Sequence, residues 1–358
     1  MNPYNERRTA LRKTPRRWLV TGAAGFIGSN LVSALLELDQ HVLGLDNFVT
    51  GHRHNLDAIR LGAGGRAANF EFVEADICDL DACRRACEGI DFVLHQAALG
   101  SVPWSVADPL ESNRTNVDGF LNMLVAARDA GVKRMVYASS SAVYGDDPAE
   151  SKVEAQTGRL LSPYAASKAI DECYGQAFYC TYGFESIGLR YFNVFGPRQD
   201  PNGAYAAVIP RWIAELLEGK ACTIYGDGLT SRDFCLVDNV VQANILSALA
   251  PKAALTPGVF NVAVGERTTL NGLYGAIRSS LAKTTPEVGT LEPLYEGFRL
   301  GDIRHSLADI SAAKASLGYS PTTDLQADLD SVIGWYIADY ESRPHRPHPP
   351  LPSGRRGE

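Results

Sequence analysis

The sequence predicts an α/β chain: a doubly wound parallel sheet with helices on both faces, and a smaller mixed α/β substrate lobe. Three observations carry this. Apolar, strand-like runs recur at 17–21, 41–46, 70–74, 91–95, 134–139 and 185–190 with helical patterns between most of them, and that alternation makes a parallel sheet covered on both sides. The first run ends in a Gly22-x-x-Gly25-x-x-Gly28 turn. Finally, 358 residues, 45% of them hydrophobic, suffice to bury a full doubly wound domain and a second, smaller one.

Taken in order, residues 1–16 form an extension. The first seventeen residues carry Arg7, Arg8, Arg12, Lys13, Arg16 and Arg17 and lack the apolar core of a signal peptide. A mobile or surface-packed segment is expected there, with an oligomer contact as the alternative. Trp18 to Gly28 then reads as strand, glycine turn and apolar helix, in which glycines let backbone amides approach phosphates at a helix amino terminus. The second strand ends in Asp46, whose carboxylate can accept both ribose hydroxyls of NAD and would repel the extra phosphate of NADP. Phe120, Leu121, Leu124, Val125 and Ala127 fall at helical spacing and predict a helix over 113–130, and 164–182 is similar. Residues 17–195 are therefore expected to be mainly the NAD-binding domain. Past 195 the pattern loosens at Gly196-Pro197 and Asp200-Pro201-Asn202-Gly203, with a helix expected at 208–219, a strand at 222–225 and a helix at 238–250. Residues 196–342 would build mainly the substrate lobe, interleaved with the first. From Arg343 to 358 the Pro- and Arg-rich tail does not read as regular structure.

Composition narrows the class. A net charge of −7 gives no bulk electrostatic case for nucleic acid or an anionic membrane, so the phosphates of a ligand would be met by a few placed arginines. The seven cysteines form no Cys-x-x-Cys pair, and Cys83 and Cys87 have no histidines at ligand spacing, so no metal site is expected. Reduced, buried thiols and the lack of an 18-residue apolar run read as a cytoplasmic protein.

Two groups carry chemistry. Tyr164-Ala-Ala-Ser-Lys168 opens a helix, and the four-residue step sets phenol and ammonium on one face. A lysine beside a phenol, with the positive nicotinamide ring, favours the phenolate and fits it to take a proton from a sugar hydroxyl. Ser140, within Ser139-Ser140-Ser141, ends the 134–139 strand, and ligands of open α/β sheets lie beyond the carboxyl ends of strands. The plain alternatives are a surface ion pair and a loop start.

Glycine turn, Tyr-x-x-x-Lys and upstream serine together resemble the extended short-chain dehydrogenase/reductase superfamily, and within it the sugar-nucleotide 4-epimerases, above all the bacterial UDP-N-acetylglucosamine 4-epimerases of surface-polysaccharide supply. The resemblance runs from about Trp18 to Tyr340 and is strong at 94–102, 188–209, 230–235 and 301–310. It implies a Rossmann-type sheet and a tightly held NAD with no net redox change. By resemblance, Gly22, Gly25, Phe26, Ile27 and Gly28 would line the pyrophosphate, Asp46 and Asn47 the adenosine ribose, and Asp76 and Ile77 the adenine. Ala97, Ala98 and Asn116 would line the cofactor's path, Lys168 would reach the nicotinamide ribose, and Tyr191 would face the cofactor. Tyr164 would be the base with Ser140 beside it. Asn193, Arg232 and Arg299 would bind the UDP phosphates and Asp302 the uridine ribose. Gly100, Ser101, Ser141 and Gln199 match positions linked to N-acetylhexosamine binding, and Ser306 matches the residue beside the C2 substituent, where small side chains admit an N-acetyl group.

The implied reaction oxidises C4, turns the 4-keto sugar about its phosphate linkage and reduces it from the other face. Similar 4,6-dehydratases carry an Asp-Glu pair where Ser141 and Ala142 stand, and uronate decarboxylases a glutamate at Ala142, so epimerisation is favoured. The serine run starts one place earlier than in the nearest relatives, and the spacing to Tyr164 favours Ser140 over Ser141 for the catalytic hydrogen bond. UDP-N-acetylglucosamine and UDP-N-acetylgalactosamine are the leading substrates, with UDP-N-acetylhexosaminuronic acids or UDP-glucose/galactose as alternatives and a dinucleotide sensor as the non-enzyme reading. A homodimer pairing helices 113–130 and 164–182 of each subunit is also expected.

Overall fold

The computed structural model describes residues 2–201, 206–256, 258–298 and 304–342. Seven strands, β1 (Arg17–Thr21), β2 (His41–Asp46), β3 (Phe70–Glu74), β4 (Phe92–His95), β5 (Arg134–Ser140), β6 (Ser186–Tyr191) and β7 (Val259–Val262), form one sheet in the order β7-β6-β5-β4-β1-β2-β3. Every neighbouring pair is parallel; Trp18 stands between Val42 and Phe92. The chain leaves β1 for β2 on one side and later returns to β4 on the other. At that switch the carboxyl ends of β1 and β4 open a crevice for ligand.

Strand side chains alternate between the two faces. Trp18, Val20, Leu94 and Val136 join one apolar cluster with Leu31, Leu35 and Phe260. Leu19, Val93 and Met135 join the other with Phe120, Leu124 and Phe178. Burial on both faces explains why these strands read as apolar runs.

The structure departs from two expectations and decides between the alternatives of a third. The six runs all become strands within a residue or so, but β7 was not among them, because Asn261 interrupts its apolar character. That amide is fully buried, accepting from the Tyr144 hydroxyl at 2.6 Å and donating to the Lys152 and Asp309 carbonyls at 2.9 Å each. The expected helix 113–130 is broken: helix Pro109–Asn113 passes through a π-helical turn, Arg114–Asp118, before helix Gly119–Asp129. Of the forms expected for the extension, the structure shows the packed one. Asn2 caps helix Pro3–Lys13, Leu11 is buried in the core, and Gln40 donates to the Leu11 carbonyl at 3.0 Å while accepting from the Arg16 amide and the Trp18 indole.

The chain divides into two compact units. The first holds the described parts of Met1–Val194, Arg232–Arg267 and His305–Thr323, so helix Val237–Ala248 and β7 belong to it although they follow residue 195. The second holds the described parts of Phe195–Ser231, Thr268–Arg304 and Asp324–Glu358. Within it, helices Val208–Leu217, Leu270–Ala282 and Leu325–Ser342 bury Trp212, Leu273 and Tyr336, and the Tyr336 hydroxyl donates to the Gly196 carbonyl at 2.8 Å. Thr223–Tyr225 pairs in parallel with Leu294–Glu296. No described helix is long and apolar enough to cross a membrane, and the proline-rich tail lies outside the described residues.

Candidate active site

The first unit's crevice begins with the glycine turn. Gly22 has φ +68°, and a Cβ there would lie 2.8 Å from the Ala97 nitrogen. At Gly28 a Cβ would lie 2.1 Å from the Gly22 carbonyl oxygen, so only glycine lets the helix Phe26–Glu37 start against the turn. Gly25 is the N-cap and supplies no side-chain cap, which leaves the leading amides, those of Phe26 and Ile27 first, directed at a ligand.

Asp46 ends β2, almost completely buried. Its Oδ2 accepts from the Ala24 amide at 3.0 Å and its Oδ1 from the Phe48 amide at 2.7 Å. Burial raises its pKa, opposed by those amides. Phe48 sits at φ +59°, a strained position for an aromatic residue, held by this bond. The half-buried Asn47 is adjacent and accepts from the Val49 amide. Asp76 lies at the same rim: partial burial works against ionisation, but hydrogen bonds from the Cys78 amide and thiol and from Asn47 leave its carboxyl below the usual range. Ile77 turns inward, buried against Gly119, so of that pair only Asp76 keeps a polar side chain at the rim.

At the ends of β1 and β4, the Thr21 hydroxyl accepts from the Gln96 and Ala97 amides at 3.2 Å each and lies 2.8 Å from His95 Nδ1. Its own hydrogen therefore points to Nδ1, and the ring proton sits on Nε2. Burial, then the nearby Lys168 charge, push the His95 pKa down to about 3. Ala97 and Ala98 are half-buried along this edge. Asn116, from the π-helical turn, is buried with its amide fully used: it accepts from the Leu99 amide at 2.8 Å and donates to the Leu99 carbonyl and Ser167 Oγ at 3.2 Å. It therefore shapes the wall with atoms already committed to protein.

The helix Pro163–Tyr182 carries the residues expected to transfer the proton, Tyr164 and Lys168. Ser162 caps it, and the buried Ser105 hydroxyl accepts from the Tyr164 amide at 3.0 Å, fixing where that side chain starts. Tyr164 is half-buried; Lys168 is buried, with Nζ 3.0 Å from Asp171 Oδ2. Burial opposes the ammonium charge, but Asp171 and the Tyr164 phenol outweigh it and hold the Lys168 pKa above its ordinary value. Helix, β5 and the following turn pack together. Ser140 ends β5 and caps that turn, accepting from the Ala142 amide at 3.1 Å, which leaves its O–H to donate elsewhere. Ser139 instead points to Glu172 at 2.5 Å, and Glu172 is gripped by Arg190 at 2.9 and 2.7 Å. Ser141 is half-buried beside Ala142.

The remaining candidates are spread along the chain. Tyr191 ends β6; its hydroxyl donates to Gln96 Oε1 at 3.0 Å and accepts from Asn244 at 2.8 Å, and Gln96 donates to Asn244 at 3.2 Å, closing a ring. Exposed Asn193, at φ +30°, donates to the Asp233 carbonyl at 2.9 Å. Arg232 is half-buried beside Asp233, whose carboxylate accepts from the Val264 and Gly265 amides at 2.9 and 3.0 Å; burial pushes the Asp233 pKa up to about 6. Ser101 caps helix Val102–Ala107 next to exposed Gly100. Ser306 is half-buried just before Leu307–Ala308, which pairs with Ser151–Lys152. Gln199 is half-buried in the second unit. Arg299 and Asp302 lie outside the described residues. Among the described residues no group of His, Cys, Asp and Glu could hold a metal ion.

A family model described as the NAD-dependent epimerase/dehydratase family matches residues 18–263. The chain belongs to this family. It is 37% identical over 322 residues to the UDP-glucose 4-epimerase of Mycolicibacterium smegmatis, covering 89% of this chain and 98% of that one. It is 31% identical to the UDP-glucuronate 4-epimerase of Thermodesulfobacterium geofontis, with 89% and 95% covered. The solved structure of the UDP-N-acetylglucosamine 4-epimerase from Methanobrevibacter ruminantium, in complex with UDP-N-acetylmuramic acid, superposes with a TM-score of 0.83 at 40% identity, covering 91% of this chain and 99% of that one.

The residues of this epimerase/dehydratase family member fit NAD. A cradle that any Cβ at Gly22 or Gly28 would fill faces an uncapped helix start, and a buried carboxylate waits at the end of β2. Sequence reasoning missed Gln96, Asn244, Ser105, Asp171 and Asp233. Four of them act through partners more than 30 positions away, which no local pattern reveals. Asp171 was hidden differently: an acid three places after a helical lysine reads as a surface pair.

Proposed function

We propose that the protein is a UDP-sugar 4-epimerase that interconverts UDP-N-acetylglucosamine and UDP-N-acetylgalactosamine in the cytoplasm, for surface-polysaccharide precursors. The observation that carries the reaction type is the row Ser140, Tyr164 and buried, charged Lys168 at the carboxyl end of the sheet. NAD, held by the glycine turn and Asp46, would supply a reversible hydride acceptor for C4, so that the reaction would have no net redox change. Tyr164, as phenolate favoured by the Lys168 ammonium, removes the proton of the sugar 4-hydroxyl and later gives it back. Ser140 donates its free O–H to the same oxygen, orienting it. Lys168 keeps the phenol poised and reaches the nicotinamide ribose. Between the two transfers the hexose turns over, so the residues proposed at the UDP, Asn193, Arg232, Arg299 and Asp302, hold firmly while the sugar pocket holds loosely. Ser141 and Ala142 offer no carboxyl group for elimination or decarboxylation.

The N-acetyl assignment rests on the small Ser306, with Ser101, Ser141 and Gln199 as further sugar contacts, and a structural relative named for UDP-N-acetylglucosamine supports it. The relatives named for UDP-glucose and UDP-glucuronate supply the alternatives. Ser306→Tyr is the test. A phenol ring would overlap the N-acetyl group and spare plain hexoses; overpacking of about 1–3 kcal/mol is worth roughly tenfold to a hundredfold discrimination. We expect kcat/KM to fall by that factor for UDP-N-acetylgalactosamine and to hold for UDP-galactose. An equal fall in both sinks the substrate assignment.

The homodimer reading is supported by apolar side chains left exposed on and around the two helices, Leu110, Leu161, Ile170 and Tyr182 among them. Light scattering at micromolar concentration should return twice the chain mass.

A further inference from the structure

Lys168 and Asp171 are both buried, joined by one 3.0 Å contact, and the second carboxylate oxygen, Oδ1, is buried with no hydrogen-bond partner. A pair that deep contributes little net stability, because desolvation offsets the attraction. Its chemistry is a better guide. We propose that Asp171 is a positioning residue for proton transfer: its negative charge, 3.0 Å from the Lys168 ammonium, offsets that ammonium's pull on the Tyr164 phenol and so sets the pH at which the phenol ionises. The proposal rests on Tyr164 being the base.

The surroundings leave Asp171 in control. On the same helix Glu172 is matched by Arg190 of β6 and by Ser139 of β5. From the sheet, His95 of β4 is kept neutral, and the phenol of Tyr137 on β5 is pushed well above its ordinary value, first by burial. Tyr144, in the turn after β5, lies under the Arg190 guanidinium. On the helices packed against this one, Glu111 pairs with Arg114 and Arg128 with Asp129, all at or near the surface, and Asp118 is exposed. The π-helical turn contributes only the neutral Asn116. Among the described residues, Asp171 is thus the one buried charge paired with Lys168 and with nothing else.

Removing a carboxylate that offsets an ammonium leaves more of the ammonium's charge to act on the phenol beside it, and that lowers the phenol's pKa. Asp171→Asn keeps the size and a hydrogen-bond acceptor for Lys168 but deletes the charge. In the NAD-loaded protein, ultraviolet difference absorbance against Tyr164→Phe isolates the Tyr164 phenolate. We expect D171N to move that titration to lower pH by about one unit, with the acid limb of kcat moving alongside and KM little changed. D171E, which restores the charge, should return both towards wild type. D171A deletes the same charge and replaces D171N if the asparagine variant does not fold. A titration that stays in place or moves up overturns the proposal and leaves Asp171 a packing residue. A wild-type protein with no Tyr164-dependent titration overturns the base assignment itself, a separate and recognisable result.

Discussion

The end of this crevice proposed for the adenosine and the end proposed for proton transfer are built from different materials. At the first, the ligand-facing groups are backbone: a glycine turn, uncapped amides at a helix start, and one carboxylate, Asp46, steadied by two further amides. At the second the groups proposed to face the ligand are the side chains of Ser140, Tyr164 and Lys168, and the buried charges there are balanced within the protein, Lys168 by Asp171 and Arg190 by Glu172. A backbone site is specified by where a Cβ cannot go, so it tolerates no substitution but needs no tuning. A side-chain site keeps its shape when one atom is changed, yet loses its chemistry.

The largest expected effect tests the second half of that contrast. Tyr164→Phe deletes one oxygen and should lower kcat by about 10²–10⁴-fold while the protein keeps its fold and its NAD. A tenth of the wild-type rate surviving would show that the base is misassigned. Gly28→Ala is the converse. Its methyl would meet the Gly22 carbonyl at 2.1 Å, so we expect a loss of about 1–3 kcal/mol in urea unfolding together with failure to retain NAD. Retention of both would mean that the turn is not rigid and the contrast is overdrawn.

His95 joins the two ends and makes a sharper prediction. Its folded pKa, about 3, lies below the ordinary 6.5, so the unfolded chain binds the proton first as pH falls. The stability it contributes is complete above pH 6.5 and is lost on descending towards 3, at about 1.4 kcal/mol per pH unit within that window. Urea midpoints at pH 7 and pH 5 should therefore converge between wild type and His95→Gln; a constant gap would place a charged histidine in the fold. The smallest effect is expected at Ser105→Ala, which removes the acceptor of the Tyr164 amide but no reacting group. We expect about 1 kcal/mol of stability and a kcat loss of a few-fold, with an unaltered NAD content. A loss as large as that of Tyr164→Phe would make Ser105 part of the chemistry.

The same contrast explains what the sequence disclosed. Gly22, Gly25, Gly28 and Asp46 could be found by inspection because the backbone demands glycine where space is missing, and the demand recurs at fixed spacing. Tyr164 and Lys168 were found because a helix puts positions four apart on one face. Asn116 and Tyr191 were named for the cofactor, and the structure finds their polar atoms bonded to Leu99 and Ser167, and to Gln96 and Asn244. Those partners are distant in sequence. Likewise β7 hid behind Asn261, and the amino-terminal helix behind its arginines, since only Leu11 on it is buried.

The ring of Gln96, Tyr191 and Asn244 spans 148 positions of chain between its first and last members. The glycine turn, by contrast, is hemmed in at Gly22 by Gln96 and Ala97. During synthesis from the amino end, the pieces of the adenosine end have emerged when barely a third of the protein exists. The ring around Tyr191 must wait for helix Val237–Ala248, which carries Asn244. A nascent chain thus carries every residue of its dinucleotide cradle well before Asn244 exists to brace Tyr191, and the helix of that cradle, Phe26–Glu37, completes its packing only when helix Val237–Ala248 has been made.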